Sequence, residues 1–206
     1  MDLHIHSKYS AHSLLKPQDI ARIARRKGLD GVAITDHDEI EGAVDLKTDF
    51  PTIVGEEISS DEGDIIGLFL NEKISEGPAL DVIDKIRAQG GLVVMPHPFD
   101  SMRREALRSE EICRKGDLIE IFNSRVIRKE DNLTARDFAR RVGLPGIVGS
   151  DAHSSMEIGR CWMDIASADD ASSFMRSVRS AEVHTERSPL VVHLQTKILN
   201  VRKVFS

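Results

Sequence analysis

Strand-like and helix-like segments alternate along nearly the whole length of this 206-residue chain. Residues 1–6, 31–35, 52–55, 64–70, 92–95, 117–122 and 146–149 read as strands from their short apolar runs. Helical patterns cover 17–28, 39–46, 78–89, 130–142 and 168–180, with a last strand at 182–185 and a terminal helix at 189–204. Pro17 starts one helix, and Gly28, Gly90 and Gly143 stop three of them. Repeated βα alternation implies parallel strands joined by crossover helices. About seven such units in so short a chain predict a closed or nearly closed β/α barrel rather than an open sheet. In such a barrel the C-terminal strand ends converge on one face, where an active site forms. His4, His6, His37, Glu57, His97, Asn123, Asp151 and His153 all fall at or just past predicted strand ends.

The segment Asp2-Leu3-His4-Ile5-His6 carries the first of these groups. Residues two apart on an extended segment face the same side, so Asp2, His4 and His6 share a face. Histidine is the commonest metal ligand, and a nearby carboxylate fixes its tautomer. Asp2 and Asp36 are read in that supporting role. One H-x-H is a weak signal, but its recurrence with His/Asp/Glu groups at other strand ends describes a multinuclear metal centre.

Composition bounds the alternatives. The chain is 40% hydrophobic and 30% charged, with a formal charge of -6, which argues against nonspecific polyanion binding. Cys113 and Cys161 form no metal-type pair and read as buried, reduced thiols of a cytoplasmic protein. No apolar run approaches the ~20 residues of a membrane helix. The metal motif starts at residue 2, leaving no room for a removable leader, and this too predicts a cytoplasmic protein.

Five motifs, DLHIHS at 2–7, TDHD at 35–38, GEEIS at 55–59, PHP at 96–98 and GSDAH at 149–153, resemble those of the PHP (polymerase and histidinol phosphatase) superfamily, in its order. Length makes 1–206 a single domain, and Leu190, Leu194, Ile198 and Val201 at near-helical spacing predict a terminal helix at 186–206 packed on the barrel, with a membrane-surface or partner helix as the alternative. The resemblance implies a distorted TIM-like (β/α)7 barrel. It implies two or three divalent metals, Mn, Zn or Fe with Mg a further option. His4, His6, Glu57 and Asp151 would hold one. Glu57 would bridge to a second, also held by His97. His12, His37 and His153 would hold a third. Of the adjacent glutamates, Glu57 matches the ligand of the family pattern, and strand alternation turns Glu56 the other way. Asp64 stands where relatives often have a histidine for the second metal, which tilts that position toward harder ions such as Mn or Mg.

Most characterised relatives are phosphoesterases, and the physics agrees. Paired metals clamp the attacking and leaving oxygens of an in-line displacement and make a water acidic. The expected function is therefore hydrolysis of a small phosphate ester, a nucleotide or phosphorylated metabolite, with Asp151, His153 and His97 at the reacting centre. The general acid is open between His97 and His153. Arg103, Arg125 and Arg160 are candidates to bind a phosphate oxygen, and Asn123 either contacts substrate or caps backbone. His184 and His193 lie outside the motifs and read as ordinary surface or core histidines. Two alternatives stay open: an exonuclease acting on short oligonucleotide ends, and a metal-binding scaffold with little turnover. The sequence does not specify an oligomeric state.

Overall fold

The computed structural model describes residues 1–193. Most of the terminal helix expected at 189–204 therefore lies outside the described residues; helical backbone begins at 191–193.

Six strands form one sheet in sequence order: β1 (Val32–His37), β2 (Thr52–Ile58), β3 (Ile65–Leu68), β4 (Leu92–Met95), β5 (Leu118–Asn123) and β6 (Gly146–Gly149). The sheet is curled into a half-barrel. The segment expected to be the first strand makes only isolated bridges, Asp2 to Val32 and Ile5 to Ala152. Those bridges have a topological consequence. Ala33 and Thr35 donate to the carbonyls of Asp2 and Ile5 at 2.8 and 2.9 Å, while His6 donates to Ala152 at 2.9 Å. The N-terminal segment thus hydrogen-bonds to β1 on one side and to the chain just past β6 on the other.

The sheet is not all parallel. β3 runs antiparallel to both β2 and β4. Only residues 59–64 separate β2 from β3, whereas a parallel connection needs a dozen or more. The reversal has a use: it brings the N-terminal end of β3, preceded by Asp64, to the face where the other strands end.

Helices α1 (Pro17–Arg26), α2 (Glu41–Val44), α3 (Ala79–Ala88), α4 (Glu110–Cys113), α5 (Lys129–Val142) and α6 (Ala171–Val178) complete the fold with a two-stranded antiparallel sheet of β7 (Cys161–Met163) and β8 (Val183–Thr185). α4 and β7 have no counterpart in the sequence reading, because three or four residues are too few for a period to show. Gly143 ends α5 in the left-handed region at φ 75°, as a glycine after a helix commonly does.

Both faces of the strands are buried, which is why they read as unbroken apolar runs. In β4, Val93 and Met95 pack outward with Val82, Ile83 and Ile86 of α3. Val94, between them, joins Leu3, Ala33, Leu118, Val148 and Phe174 in a separate core cluster. α1 buries Ile20, Ala21, Ile23 and Ala24 against Val32 and Ile34 of β1. No helix among the described residues is long and apolar enough to cross a membrane.

Candidate metal centre

At the strand ends, side chains from six separate stretches of chain meet. Glu57 near the end of β2 is central and fully buried. Its Oε2 lies 3.3 Å from His4 Nε2, 3.2 Å from His6 Nε2 and 3.3 Å from His37 Nδ1. Its Oε1 lies 2.9 Å from His97 Nε2. Asp151 Oδ1 is 3.1 Å from His6 Nε2, 3.8 Å from His4 Nε2 and 3.5 Å from His153 Nδ1. Four groups of three residues each place one ligand atom apiece within 4.8 Å of one another: His4, His6 and Asp151; His4, Glu57 and His97; His37, Glu57 and Asp64; His6, His37 and His153. Asp64 thus shares a group with His37 and Glu57 rather than with His97. His12 stands farther out, its ring centroid 6.5 Å from that of His37.

The donor set fits divalent cations. His4 Nδ1 is 3.0 Å from the Glu120 carboxylate, which accepts its N–H and leaves Nε2 with a lone pair. That lone pair faces His6 Nε2 at 3.0 Å and Glu57 Oε2 at 3.3 Å. Imidazole nitrogens and carboxylate oxygens crowded together with so few protons repel unless a cation or added protons stand among them. Asp151 Oδ1 and His97 Nδ1, both buried, also lack a hydrogen-bond partner.

The charges record the same tension. Burial opposes charge on His4, yet Glu120, Glu57 and Asp151 outweigh it and hold its pKa well above the ordinary value. Burial likewise opposes the charge on Glu57 and Asp151. The histidines around Glu57, and Arg103 with His4 beside Asp151, still hold both carboxyls well below the usual range. Burial pushes His37 down to about 4 and, with the charges of His6 and Arg125, His153 well below its usual value. Asp64 is raised to about 8, first by burial and then by the charge of Glu57.

Backbone geometry positions these groups. His97 and Asp151 leave their strands at φ 30° and 53°, left-handed conformations that non-glycine residues adopt at a cost of about 1–3 kcal/mol. Gly149 permits the closest approach, since a Cβ there would lie 2.3 Å from His4 Cβ and 2.5 Å from Glu120 Oε1. Asn132, near the start of α5, bonds both the N–H (3.0 Å) and the carbonyl (3.1 Å) of Asn123. Asp131 accepts from the N–H and hydroxyl of Ser101 at 2.9 and 2.8 Å, tying down the loop after His97.

Several expected roles change. Asp2 does not touch an imidazole; it accepts from the amides of Ser150 (3.0 Å) and Gly159 (2.8 Å). Asp36 binds the hydroxyls of Ser7 and Ser10, each at 2.5 Å, and Ser10 in turn lies 3.2 Å from His6 Nδ1. The carboxylate that does hold a histidine is Glu120. It also accepts from the His97 amide at 2.7 Å and from Asn123 Nδ2 at 3.0 Å. Its one sequence signal is a lone charge inside the apolar run of β5.

Glu56, facing away from Glu57 as alternation requires, accepts from the Ile74 amide at 2.9 Å. Asn123 also reaches Asp151 Oδ2 at 3.3 Å.

A cavity of about 740 Å³ opens over this centre, lined among others by His12, His37, Asp64, Arg103, Arg125, His153 and His193. Arg103 pairs with Asp151 and with Asp100 (3.2 Å). Arg125 is buried, 3.3 Å from Glu157. Arg160 does not line the cavity and pairs with Glu186. His193, read from sequence as an ordinary histidine, is in the lining, whereas His184 lies 3.1 Å from Asp164 on the small sheet.

A half-barrel of mixed α/β structure with histidine and carboxylate groups at its strand ends defines a class, and comparison with known proteins identifies the family. A family model described as PHP domain matches residues 2–59, and one described as PHP-associated matches residues 129–183. Uncharacterized protein MJ1587 of Methanocaldococcus jannaschii is 40% identical over 139 residues, covering 60% of this chain and 81% of that protein. Uncharacterized protein MJ0417 of the same organism is 35% identical over 170 residues, covering 79% and 69%. The chain belongs to the PHP family.

Solved structures share the fold. PsfC from Pseudomonas syringae PB-5123 superposes with a TM-score of 0.69 at 15% identity, covering 100% of this chain and 98% of that one. A two-domain protein from Bacteroides vulgatus, containing a predicted PHP-like metal-dependent phosphoesterase, gives 0.64 at 21% identity, covering 90% and 64%. An amidohydrolase from Chromobacterium violaceum with bound sulfate gives 0.61 at 16%, covering 94% and 96%.

Proposed function

We propose that this chain is a metal-dependent phosphoesterase that hydrolyses a small phosphate ester, a nucleotide or a phosphorylated metabolite. One observation carries the reading: histidine and carboxylate atoms from distant strands converge within ligand distance beneath a cavity that also holds Arg103 and Arg125. In this reading His4, His6, Glu57 and Asp151 would hold one ion, Glu57 and His97 a second, and His12, His37 and His153 a third, with Asp64 a further ligand on the side of Glu57 that faces His37. Bound divalent ions supply Lewis acidity toward a phosphoryl oxygen and lower the pKa of water. Asp64 favours Mn or Mg at its position over softer ions.

The chain's own groups do the rest. Glu120 keeps the His4 proton on Nδ1, so that Nε2 is free to ligate. Asn123 and Arg103 hold Asp151 Oδ2, which leaves Oδ1 directed at the centre. Arg125 and Arg103 supply guanidinium donors to nonbridging phosphate oxygens. His153 is held neutral by burial and neighbouring cations, which suits a ligand better than a proton donor. The two buried free thiols suit a reducing cytoplasm.

The test combines elemental analysis of the purified protein with a phosphoester panel under Mn, Zn, Fe and Mg. Mononucleotides, sugar phosphates and single-stranded oligonucleotides separate a phosphatase from an exonuclease. The expected outcome is turnover of small monoesters that is lost on chelation and in His6→Ala and Asp151→Ala. Full activity of a metal-free preparation would overturn the reading, and a metal-loaded protein with no turnover on the whole panel would favour a scaffold.

A further inference from the structure

The outer half of the cavity is built by residues that the metal centre does not use. The loop after β5 carries Arg125 and Ile127, and the last described stretch of chain is clamped to it. The Ser188 amide donates to the Ser124 carbonyl at 2.8 Å, and the two serine hydroxyls lie 3.0 Å apart. Arg187 donates to the carbonyls of Val126 and Ile127. Val192 is buried behind this contact, at 1% exposure. This docking is what delivers His193 to the cavity wall. The same lining includes Met102, on the loop that Asp131 anchors through Ser101.

Met102 and Ile127 are 62% and 39% exposed, apolar side chains beside a strongly charged floor. Scattered exposed apolar residues are ordinary. These two share one cavity lining with His193, and that cavity of about 740 Å³ has small-molecule size, well beyond inorganic phosphate. Burial, then the charges of Arg125 and Arg103, lower the pKa of His193, so it offers a neutral ring with an apolar face and one hydrogen-bonding nitrogen. A methionine thioether and an isoleucine are good partners for a flat aromatic group.

We propose that Met102, Ile127 and His193 form the subsite for the alcohol half of the substrate, selecting phosphomonoesters of an aromatic or heterocyclic alcohol over those of small polyols. The subsite rests on the phosphoesterase reading for its orientation, with the phosphate toward the metals and the alcohol toward the mouth. Binding tests it without turnover. Calorimetric titration of the Mn-loaded protein with phenylphosphonate and methylphosphonate, neither of which is hydrolysed, should give a ratio of affinities of about 10 in favour of the phenyl compound. In Met102→Ser/Ile127→Ser and in His193→Ala that ratio should fall toward about one.

Equal affinities in the parent protein, or a ratio unmoved by both variants, would overturn the subsite. Turnover in the phosphoester panel is a separate readout. A protein that binds phenylphosphonate preferentially but hydrolyses nothing would keep the subsite and sink the phosphoesterase reading.

Discussion

Glu120 shows how much one buried side chain can organise. Its carboxylate receives His4 Nδ1, the His97 amide and Asn123 Nδ2, so three strand ends are fixed relative to one another by one residue that no motif marks. Carboxylates behind ligating histidines raise ligand basicity, and their loss typically costs 10–100-fold in metal affinity. Glu120→Gln preserves shape but places an amide NH2 either beside His4 or beside the His97 amide and Asn123, so at least one of its three contacts must become donor against donor. Competition titration against a chelator should show metal affinity weakened by about 10–100-fold. An unchanged affinity would show that Glu120 only fills space. The sequence reading placed histidines and carboxylates at strand ends, where the structure brings them together. It assigned the supporting role to Asp2 and Asp36 because they neighbour histidines in the chain, whereas the contact is made across 116 positions.

At the level of elements, β2 separates two adjacent glutamates by the alternation of a strand. Glu57 enters the metal centre. Glu56 turns the other way to a buried position, where one oxygen accepts from the Ile74 amide and the other has no hydrogen-bond partner. Burial, little offset by the Ile74 amide, raises its pKa to about 7. A carboxyl with a folded-state pKa above its unfolded value near 4.5 contributes stability fully below that value and loses it as pH rises through 7. Glu56→Gln keeps the acceptor for Ile74 and removes the charge. Denaturant melts should therefore show the variant gaining on the parent between about pH 5 and 8, by up to roughly 3 kcal/mol, with no gain below pH 4. A pH-independent difference would contradict it. The direction of β3 is the other decision made at this scale. Its apolar run predicted a strand correctly, but strand patterns carry no sign of direction; the short connection at 59–64 does, and it forbids a parallel crossover.

Over the whole molecule, the metal centre joins segments from both ends of the curled sheet. His4 and His6 come from the N-terminal segment, Glu57 from β2, His97 from the end of β4, and Asp151 and His153 from beyond β6. A ligand set drawn from both ends of the sheet couples metal binding to global stability. An ion at 100 times its Kd adds about 2.7 kcal/mol. Thermal melts with and without chelator should differ by several degrees and approach the chelated value as metal is titrated out. Identical melting temperatures would mean that the centre does not bind ions in the folded state.

The motif order, the fall of histidines and carboxylates at strand ends, the opposite facing of Glu56 and Glu57 and most helix boundaries were legible in the chain, since each depends on short-range period and side-chain chemistry. Three things were not. The hold of Glu120 on His4, the turning of Arg160 toward Glu186 and the delivery of His193 to the cavity each depend on which distant segments meet. Local sequence specifies what a residue can do, whereas packing of the curled sheet specifies what it faces.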